Sequence, residues 1–561
     1  MIDASIGIAR ILKAEGTAFV SHFPSCKINN AVGDEGQIPL IMMRDERYGV
    51  AVADAFSRIS DGKRFGVCTL QGGSNCAGLE YGMGAMTQAF EDNVPILCLT
   101  DQEPSEMENT HFRPDRLFAN ITRWTSAIPA AARVPEYMAR AYTYLKTGRP
   151  GPVLLQVPKK LGEYDEVAIP YEPVKRIRSM ADPDDVKAAV KALRAAKKPL
   201  LYVGEGVFRS DACEELFQFV ETCQIPVLTT LKAKSAFPDN HPLSVSMRDI
   251  PAEHFLNECD LVFAIGSSIS PVRFSHAIPN AAAKTIIHLT VDNADINKSY
   301  RSKVGLIGDC KLVLKQLTEE FAGQTGGGVK AKPEVLDEIK GIKAKMFETY
   351  MPAMTSNDNP INPYRVYHEL QHILDPRRSF ITAESGSARD QLSTVYEAIV
   401  PHSYLGWGNV STLGFSLAGA IAGKLAFPDK QVVHITGDAG MGYMLGNMEA
   451  PIRYNLGITT ILLNNSGYAG YGPGFWGGGD NPYTCSLTPS DRTNLAKAME
   501  GVGMQSERVT EPGEIAPAIR RALDENAKKR PAFIEIICSQ YPIWGTFVGR
   551  VKKGTSRPKK G

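Results

Sequence analysis

The 561-residue chain carries 62 basic and 61 acidic residues, a formal net charge of +1, so it has no broad electrostatic footprint for nucleic acid. Hydrophobic residues make up 43%, which excludes a disordered chain and supplies cores for about three or four ordinary domains. No run of about 18 apolar residues occurs, so no transmembrane helix or membrane partner is predicted.

The start, Met1-Ile-Asp-Ala-Ser-Ile-Gly, lacks a basic segment followed by an uninterrupted apolar stretch, and no secretory signal is expected. The ten cysteines form no Cys-x-x-Cys pair and mostly lie in apolar runs. They read as reduced core thiols of a soluble cytoplasmic protein.

Strand-like and helix-like segments alternate along the chain, which predicts an α/β fold of three consecutive domains with mostly parallel sheets flanked by helices. The first block spans 1–171, with strands expected at Ile38–Met43, Phe65–Leu70, Val94–Thr100 and Pro152–Val157. Residues Tyr48 to Ile59 recur at helical spacing after the polar tip Arg44-Asp45-Glu46. Glu172–Asp184 is polar, holds two prolines and reads as a linker.

The second block spans 185–321. It includes Pro199-Leu-Leu-Tyr-Val-Gly, Leu261-Val-Phe-Ala-Ile-Gly and Thr285-Ile-Ile-His-Leu-Thr. Gly204-Glu-Gly206 and Gly266-Ser-Ser follow strands, but tight strand-to-helix turns use such glycines routinely. This block is expected to be mainly structural. The Gly-rich segment from Ala322 to Pro333 is expected to be a mobile connection.

The third block spans 334–543. Gln431-Val-Val-His-Ile-Thr-Gly-Asp438 and Thr459-Thr-Ile-Leu-Leu-Asn-Asn465 read as apolar strands with polar tips. Ala439–Asn455 reads as one helix between them, with Pro451 interrupting its last turn. Such a unit forms a right-handed parallel crossover, so neighbouring tips would lie roughly 5 Å apart. Asp438 and Asn465 would then offer hard oxygen ligands to Mg²⁺ or Ca²⁺. The amides of Gly437, Asp438, Ala439 and Gly440 would meet a phosphate at a helix N-terminus. An ordinary βαβ unit is the plainer alternative, since Gly-Asp after a strand is a common turn. Asn is depleted in strands, and the tandem pair at a second strand end favours the ligand reading.

On Gly437-Asp438-Ala439 and Asn464-Asn465 the sequence resembles the thiamine-diphosphate-dependent enzymes of the acetolactate synthase, pyruvate decarboxylase and benzoylformate decarboxylase superfamily. Their signature is Gly-Asp-Gly, a helix, then Asn-Asn, and Ala439 stands where glycine is usual. The resemblance covers nearly the whole chain. It implies a pyrimidine-binding domain, a central Rossmann-like domain and a diphosphate-binding domain, with thiamine diphosphate and Mg²⁺ as cofactors. It also implies a homodimer or homotetramer with active sites at the subunit interface, acting on a small-molecule substrate. The metal ligands would be Asp438, Asn465 and the carbonyl of Gly467. In relatives the central domain can hold FAD or ADP, and nothing in this sequence supports either.

Thiamine catalysis requires that the thiazolium C2 lose its proton in a water-poor cleft, and the family uses a Glu against the aminopyrimidine ring to promote this. Glu46 is the counterpart. Asp45 and Glu46 also suit the N-terminal dipole of the following helix, which is the structural alternative. By resemblance Leu413 is the wedge beneath the bent cofactor and the Ser411 carbonyl accepts from the aminopyrimidine amine. Ser385 and Ser387 would touch the diphosphate, although they also fit a plain turn. Facing the substrate, the resemblance places Cys26 and Gln71, with His22 and His111 as nearby candidates.

Two departures narrow the implied chemistry. The adjacent His-His pair of pyruvate-decarboxylase-like relatives is absent, and Tyr471 stands near the place of their Glu after Asn-Asn. That favours carboligation, acyl transfer or acyl-CoA chemistry over simple aldehyde release. A 2-hydroxyacyl-CoA lyase or oxalyl-CoA-type decarboxylase is the enzymatic alternative, and a non-catalytic cofactor-binding homologue is another. The basic tail 544–561, with Lys552, Lys553 and Arg557, is either a solvated terminus or a segment that meets a phosphate or carboxylate.

Overall fold

A computed structural model describes residues 1–24, 26–72, 76–102, 114–271, 275–330, 332–468 and 487–540. The chain divides into two compact units, one of Met1–Arg178 with Asn409–Ala426, the other of Ser179–Gly408 with Phe427–Gly561. Three extended sheets, all with parallel ladders, make up the α/β architecture.

In the first unit the sheet runs Leu40–Met42, Val20–His22, Gly66–Leu70, Ile96–Gln102, Val153–Pro158, Trp124–Ala127. Its central strands are apolar on both faces because helices cover both sides, as in Val67, Cys68 and Leu70 beside Leu97, Cys98 and Leu99. Helix Glu46–Arg58 is buried on nearly every side. Gly66 lets it reach the sheet, since a Cβ there would sit 1.9 Å from the Ala53 carbonyl oxygen. On its other side lies Phe415–Ala426, rich in Ala and Gly, whose small side chains allow close approach. The short strand Val20–His22 and the placing of 409–426 in this unit were not expected from sequence. The expected linker is held at its start, with Tyr171 Oη and Val174 N both donating to Glu15 Oε1. Helix Pro183–Ala195 begins inside the expected linker, capped by Asp182.

The second unit holds two sheets. The five-stranded one runs Val227–Thr229, Pro199–Val203, Leu261–Ile265, Thr285–Thr290, Val304–Ile307. Its turn glycines pack on each other: a Cβ on Gly204 would lie 2.4 Å from the Gly266 oxygen, and one on Gly206 2.7 Å from the Gly266 Cα. Those glycines are accounted for by loop packing. The expected mobile connection is anchored instead. Helix Cys310–Thr325 consumes its start, and the Val329 amide donates to the Thr222 carbonyl at 3.1 Å.

The six-stranded sheet of this unit runs Tyr404–Leu405, Ser379–Ala383, Gln431–Gly437, Ile458–Asn464, Ala532–Ile537, Gln505–Val509. Its order by chain position, 2-1-3-4-6-5, is the same as in the first unit's sheet. One expectation fails here. Ala439–Asn455 is not one helix but three short pieces, Asp438–Met441, a 3₁₀ turn at Leu445–Asn447 and Ala450–Arg453. Gly440, Gly442 and Gly446 weaken helical propensity across the span, and Pro451 opens the last piece in its first turn instead of interrupting it.

Candidate active site

In a doubly wound sheet, ligands gather where connections from adjacent strands leave in opposite directions. In the second unit that switch falls between Ser379–Ala383 and Gln431–Gly437. Asp438 follows the latter and Asn465 follows its neighbour Ile458–Asn464, with Gly437 opposite Leu463, so both tips share one edge. Alternation along the strand separates the tandem asparagines. Asn464 turns into the core, its Nδ2 donating to Glu535 Oε1 at 2.8 Å and its Oδ1 accepting from the Ser466 amide. Asn465 follows just past the strand's end.

Asp438 Oδ1 and Asn465 Oδ1 are both buried without a hydrogen-bond partner. Burial pushes the Asp438 carboxyl up to about 6, against the opposing pull of the Ala439, Asp438, Gly467 and Ser466 amides. Uncompensated buried oxygens are costly, and a cation between two strand tips would offset them. The donors are one carboxylate and neutral oxygens. No group of three His, Cys, Asp or Glu side chains placed to hold a metal ion exists among the described residues. That composition suits a hard cation such as Mg²⁺ and not a zinc site.

Space is reserved above these tips. Gly437 has an ordinary φ of −89° and a Cβ there would meet nothing within 4 Å, so the fold itself does not demand glycine. Gly440 differs: its Cβ would lie 2.4 Å from Glu384 Cγ. Glu384 is buried, and its Oε1 accepts from the Ser385 amide at 2.8 Å. This contact joins the Ser385–Ser387 loop to the Asp438 turn. Gly386, at φ +102°, leads into helix Ser387–Val395. Glu384 was missed in the sequence. A carboxylate directly after an apolar strand was its signal, the same one that marked Asp438.

In the first unit the switch lies between Val20–His22 and Gly66–Leu70. Glu46 opens helix Glu46–Arg58, with Asp45 as N-cap accepting from the Tyr48 amide at 2.9 Å. A Cβ on Gly78 would lie 2.6 Å from Glu46 Oε1 and 2.8 Å from Gln71 Cβ, so Glu46 and Gln71 share one spot. Burial, reinforced by the Asp45 charge, raises the Glu46 carboxyl above its usual range. A carboxyl tuned upward in a crevice is suited to proton transfer. His22 Nδ1 pairs with Asn29 Nδ2 at 3.2 Å, and Thr69 Oγ1 donates to Asn29 Oδ1 at 2.6 Å. Cys26 lies in the apolar core, and burial pushes its thiol up to about 12, which keeps it protonated at neutral pH. Asp101 and Lys159, 3.4 Å apart, stand at the ends of adjacent strands and were not singled out from sequence.

The turn 411–414 also belongs to this unit. Ser411 has φ +66° and Gly414 φ +93°. The carbonyl of Leu413 accepts from Arg47 Nη1 at 3.1 Å, and that of Gly414 from Tyr48 Oη at 2.7 Å. Tyr471, His111 and the tail 544–561 lie outside the described residues.

Three models of one enzyme family match successive parts of the chain. The thiamine pyrophosphate enzyme N-terminal TPP binding domain matches residues 3–121, the central domain 186–317 and the C-terminal TPP binding domain 384–536. The chain belongs to the thiamine pyrophosphate enzymes. Among relatives of this thiamine pyrophosphate enzyme is the probable acetolactate synthase large subunit of Methanococcus aeolicus. It is 29% identical over 510 residues, covering 86% of this chain and 83% of the relative. The glyoxylate carboligase of Escherichia coli O157:H7 is 26% identical, covering 94% and 91%. The acetolactate synthase isozyme 3 large subunit of Escherichia coli K12 is 24% identical, covering 96% and 95%. No helix among the described residues is long and apolar enough to cross a membrane.

Proposed function

We propose that this chain is a thiamine-diphosphate- and Mg²⁺-dependent enzyme that cleaves and forms C–C bonds on a 2-oxo acid. In this reading, decarboxylation is coupled to carboligation or acyl transfer, as the names of its synthase and carboligase relatives suggest. The observation that carries the reading is the pair of buried, unpartnered oxygens on Asp438 and Asn465 at adjacent strand ends.

Asp438, ionised above about pH 6, and Asn465 Oδ1 would hold Mg²⁺, with the Gly467 carbonyl completing the protein's share. The Ser385 and Ser387 hydroxyls and the amides at the start of helix Ser387–Val395 would bind diphosphate oxygens. Gly437 and Ala439 leave room for that group. Thiamine diphosphate, when bound, supplies the carbon nucleophile and electron sink needed for loss of CO₂ from a 2-oxo acid. Glu46 would hold a proton at the aminopyrimidine ring, a task that its raised carboxyl suits. Leu413 would support the cofactor from beneath, and the Ser411 carbonyl would accept from its exocyclic amine. Gln71, beside Glu46, presents an amide to the substrate. Cys26 contributes packing. The N-terminal and C-terminal half-sites meet between subunits of a homodimer or homotetramer.

The test is a substrate screen with Mg²⁺ and thiamine diphosphate. It offers 2-oxo acids alone, in pairs and with aldehydes, and, separately, 2-hydroxyacyl- and oxalyl-CoA thioesters, with products read by mass spectrometry. A carboligated or acyl-transfer product from a free 2-oxo acid is the expected result. Turnover of CoA thioesters alone would replace this reading with the acyl-CoA lyase or decarboxylase one.

A further inference from the structure

A fully buried carboxylate stands behind the tip of strand Ile458–Asn464. Glu535, in the neighbouring strand Ala532–Ile537, lies opposite Leu462 in register. Both of its oxygens are engaged as acceptors. Oε1 takes the Asn464 Nδ2 donor at 2.8 Å, and Oε2 takes the Ala496 amide at 3.0 Å, in the first turn of helix Leu495–Val502. The Arg508 guanidinium lies beside the second oxygen, Nε to Oε2 at 3.9 Å, and itself donates to the Thr493 carbonyl at 2.8 Å and to the Ser490 carbonyl.

This arrangement decides which way the Asn464 amide points. A carboxylate only accepts, so it takes the NH₂ end and leaves Oδ1 to the Ser466 amide at 3.2 Å. That second bond closes an Asx turn over Asn465. Ser466 sits in it at φ +62°, a conformation that a non-glycine residue keeps only when its surroundings hold it. The turn is fastened further along as well. The Leu487 amide donates to the Ser466 carbonyl at 3.0 Å, the Ser490 amide to Ser466 Oγ at 3.0 Å, and Gln540 Nε2 to the Asn465 carbonyl at 3.2 Å. Asn465 and Gly467 flank Ser466, and the Ser466 and Gly467 amides act on the Asp438 carboxyl.

We infer that Glu535 is a positioning residue for the cation site: through Asn464 it fixes the turn that carries Asn465 and Gly467. In this role it touches neither cation nor cofactor. The inference rests on the proposed ligands Asp438, Asn465 and Gly467, which all belong to one chain, so it does not depend on how subunits complete the active site. Groups that orient metal ligands from behind are worth about ten- to a hundredfold in metal affinity. Glu535→Gln accepts through one oxygen only, so its NH₂ must face either Asn464 Nδ2 or the Ala496 amide, donor against donor.

The test uses the full chain and its Glu535→Gln, Asn464→Ala and combined Glu535→Gln/Asn464→Asp forms. The combined form reverses the direction of the 464–535 bond and keeps acceptors for the Ser466 and Ala496 amides. Asn464→Ala retains the Glu535 charge, which separates orientation from charge. Mn²⁺, a paramagnetic stand-in for Mg²⁺, is titrated at saturating thiamine diphosphate and followed by electron paramagnetic resonance. Denaturant unfolding of the cofactor-free proteins is measured beside it. Glu535→Gln and Asn464→Ala should each weaken Mn²⁺ binding about ten- to a hundredfold, and the combined form should return to within a few-fold of the parent. Parental Mn²⁺ affinity in either single variant, whatever its stability, overturns the positioning role and leaves a structural one. A combined form no better than Glu535→Gln overturns it too. If Glu535→Gln does not fold, Asn464→Ala decides alone: weakened Mn²⁺ binding supports the role and parental binding overturns it. Failure of the functional reading shows separately, as absence of Mn²⁺ binding by the unsubstituted chain with thiamine diphosphate, and it removes the positioning role with it.

Discussion

Replacing Asp438 with Asn should make the cofactor-free protein more stable while removing its capacity to bind the cofactor. The carboxyl titrates near 6 in the folded chain against an ordinary 3.8, a difference worth about 3 kcal/mol. A carboxyl raised in this way favours the folded state below its unfolded value, and that contribution is lost as pH rises through about 6. At pH 8 the folded apoprotein carries the whole cost of the buried charge. By pH 5 protonation returns about 1.4 kcal/mol. The asparagine variant escapes the cost, so its advantage should be greatest at pH 8, at most about 3 kcal/mol, and smaller at pH 5 by about 1.4 kcal/mol. The upper limit applies because an amide accepts from the surrounding backbone N–H groups through one oxygen only. Denaturant unfolding of both proteins in chelator, at pH 5 and 8, measures this. A variant no more stable than the parent at pH 8, or an advantage that does not shrink at pH 5, would refute the reasoning. With saturating Mg²⁺ and thiamine diphosphate the order should reverse, since only the parent gains binding energy.

Two glycines of the Asp438 turn should respond oppositely. Gly437→Ala places its Cβ in open space, so the melting temperature should hold within about 1 °C while cofactor affinity falls. Gly440→Ala drives a Cβ to 2.4 Å from Glu384 Cγ and should destabilise the apoprotein by about 1–3 kcal/mol in denaturant titrations. Cys26→Ser should leave kcat within a few-fold of the parent, and thiol reagents at pH 7 should not inactivate the native protein through Cys26, because burial keeps that thiol protonated. Peptide mapping of the alkylated protein checks the latter.

The parallel α/β sheets were legible because apolar strands buried on both faces read as continuous runs, and Thr459–Leu463 and Gln431–Thr436 did so. The shared edge of Asp438 and Asn465 was legible for a related reason: a crossover of this length has one handedness and leaves both strands pointing one way. Local propensity was less informative. Met444, Leu445, Met448 and Ile452 recur at helical spacing, yet glycines at 440, 442 and 446 divide the span into short turns that bury Met444 and Met448 and leave Leu445 exposed, without a continuous helix. Val20–His22 escaped notice because three residues carry no periodicity. Glu384 needed the fold, since its partner Gly440 lies 56 positions further along the chain and the two meet only across adjacent strands. The bonds from Arg47, Tyr48 and Gln88 to the 411–414 turn span more than 300 residues and leave no trace in local sequence.

The division of roles between the two half-sites is tested most directly by one paired experiment on bound cofactor. Thiamine diphosphate is titrated with Mg²⁺ into Asp438→Ala and Glu46→Gln, and the C2 proton-exchange rate is measured on whatever is retained. Asp438→Ala should lose cofactor retention, because the diphosphate loses its bridging cation. Glu46→Gln should retain cofactor but exchange the C2 proton about 10²-fold or more slowly than the parent. Normal cofactor binding by Asp438→Ala, or parental exchange in Glu46→Gln, would contradict the assignment.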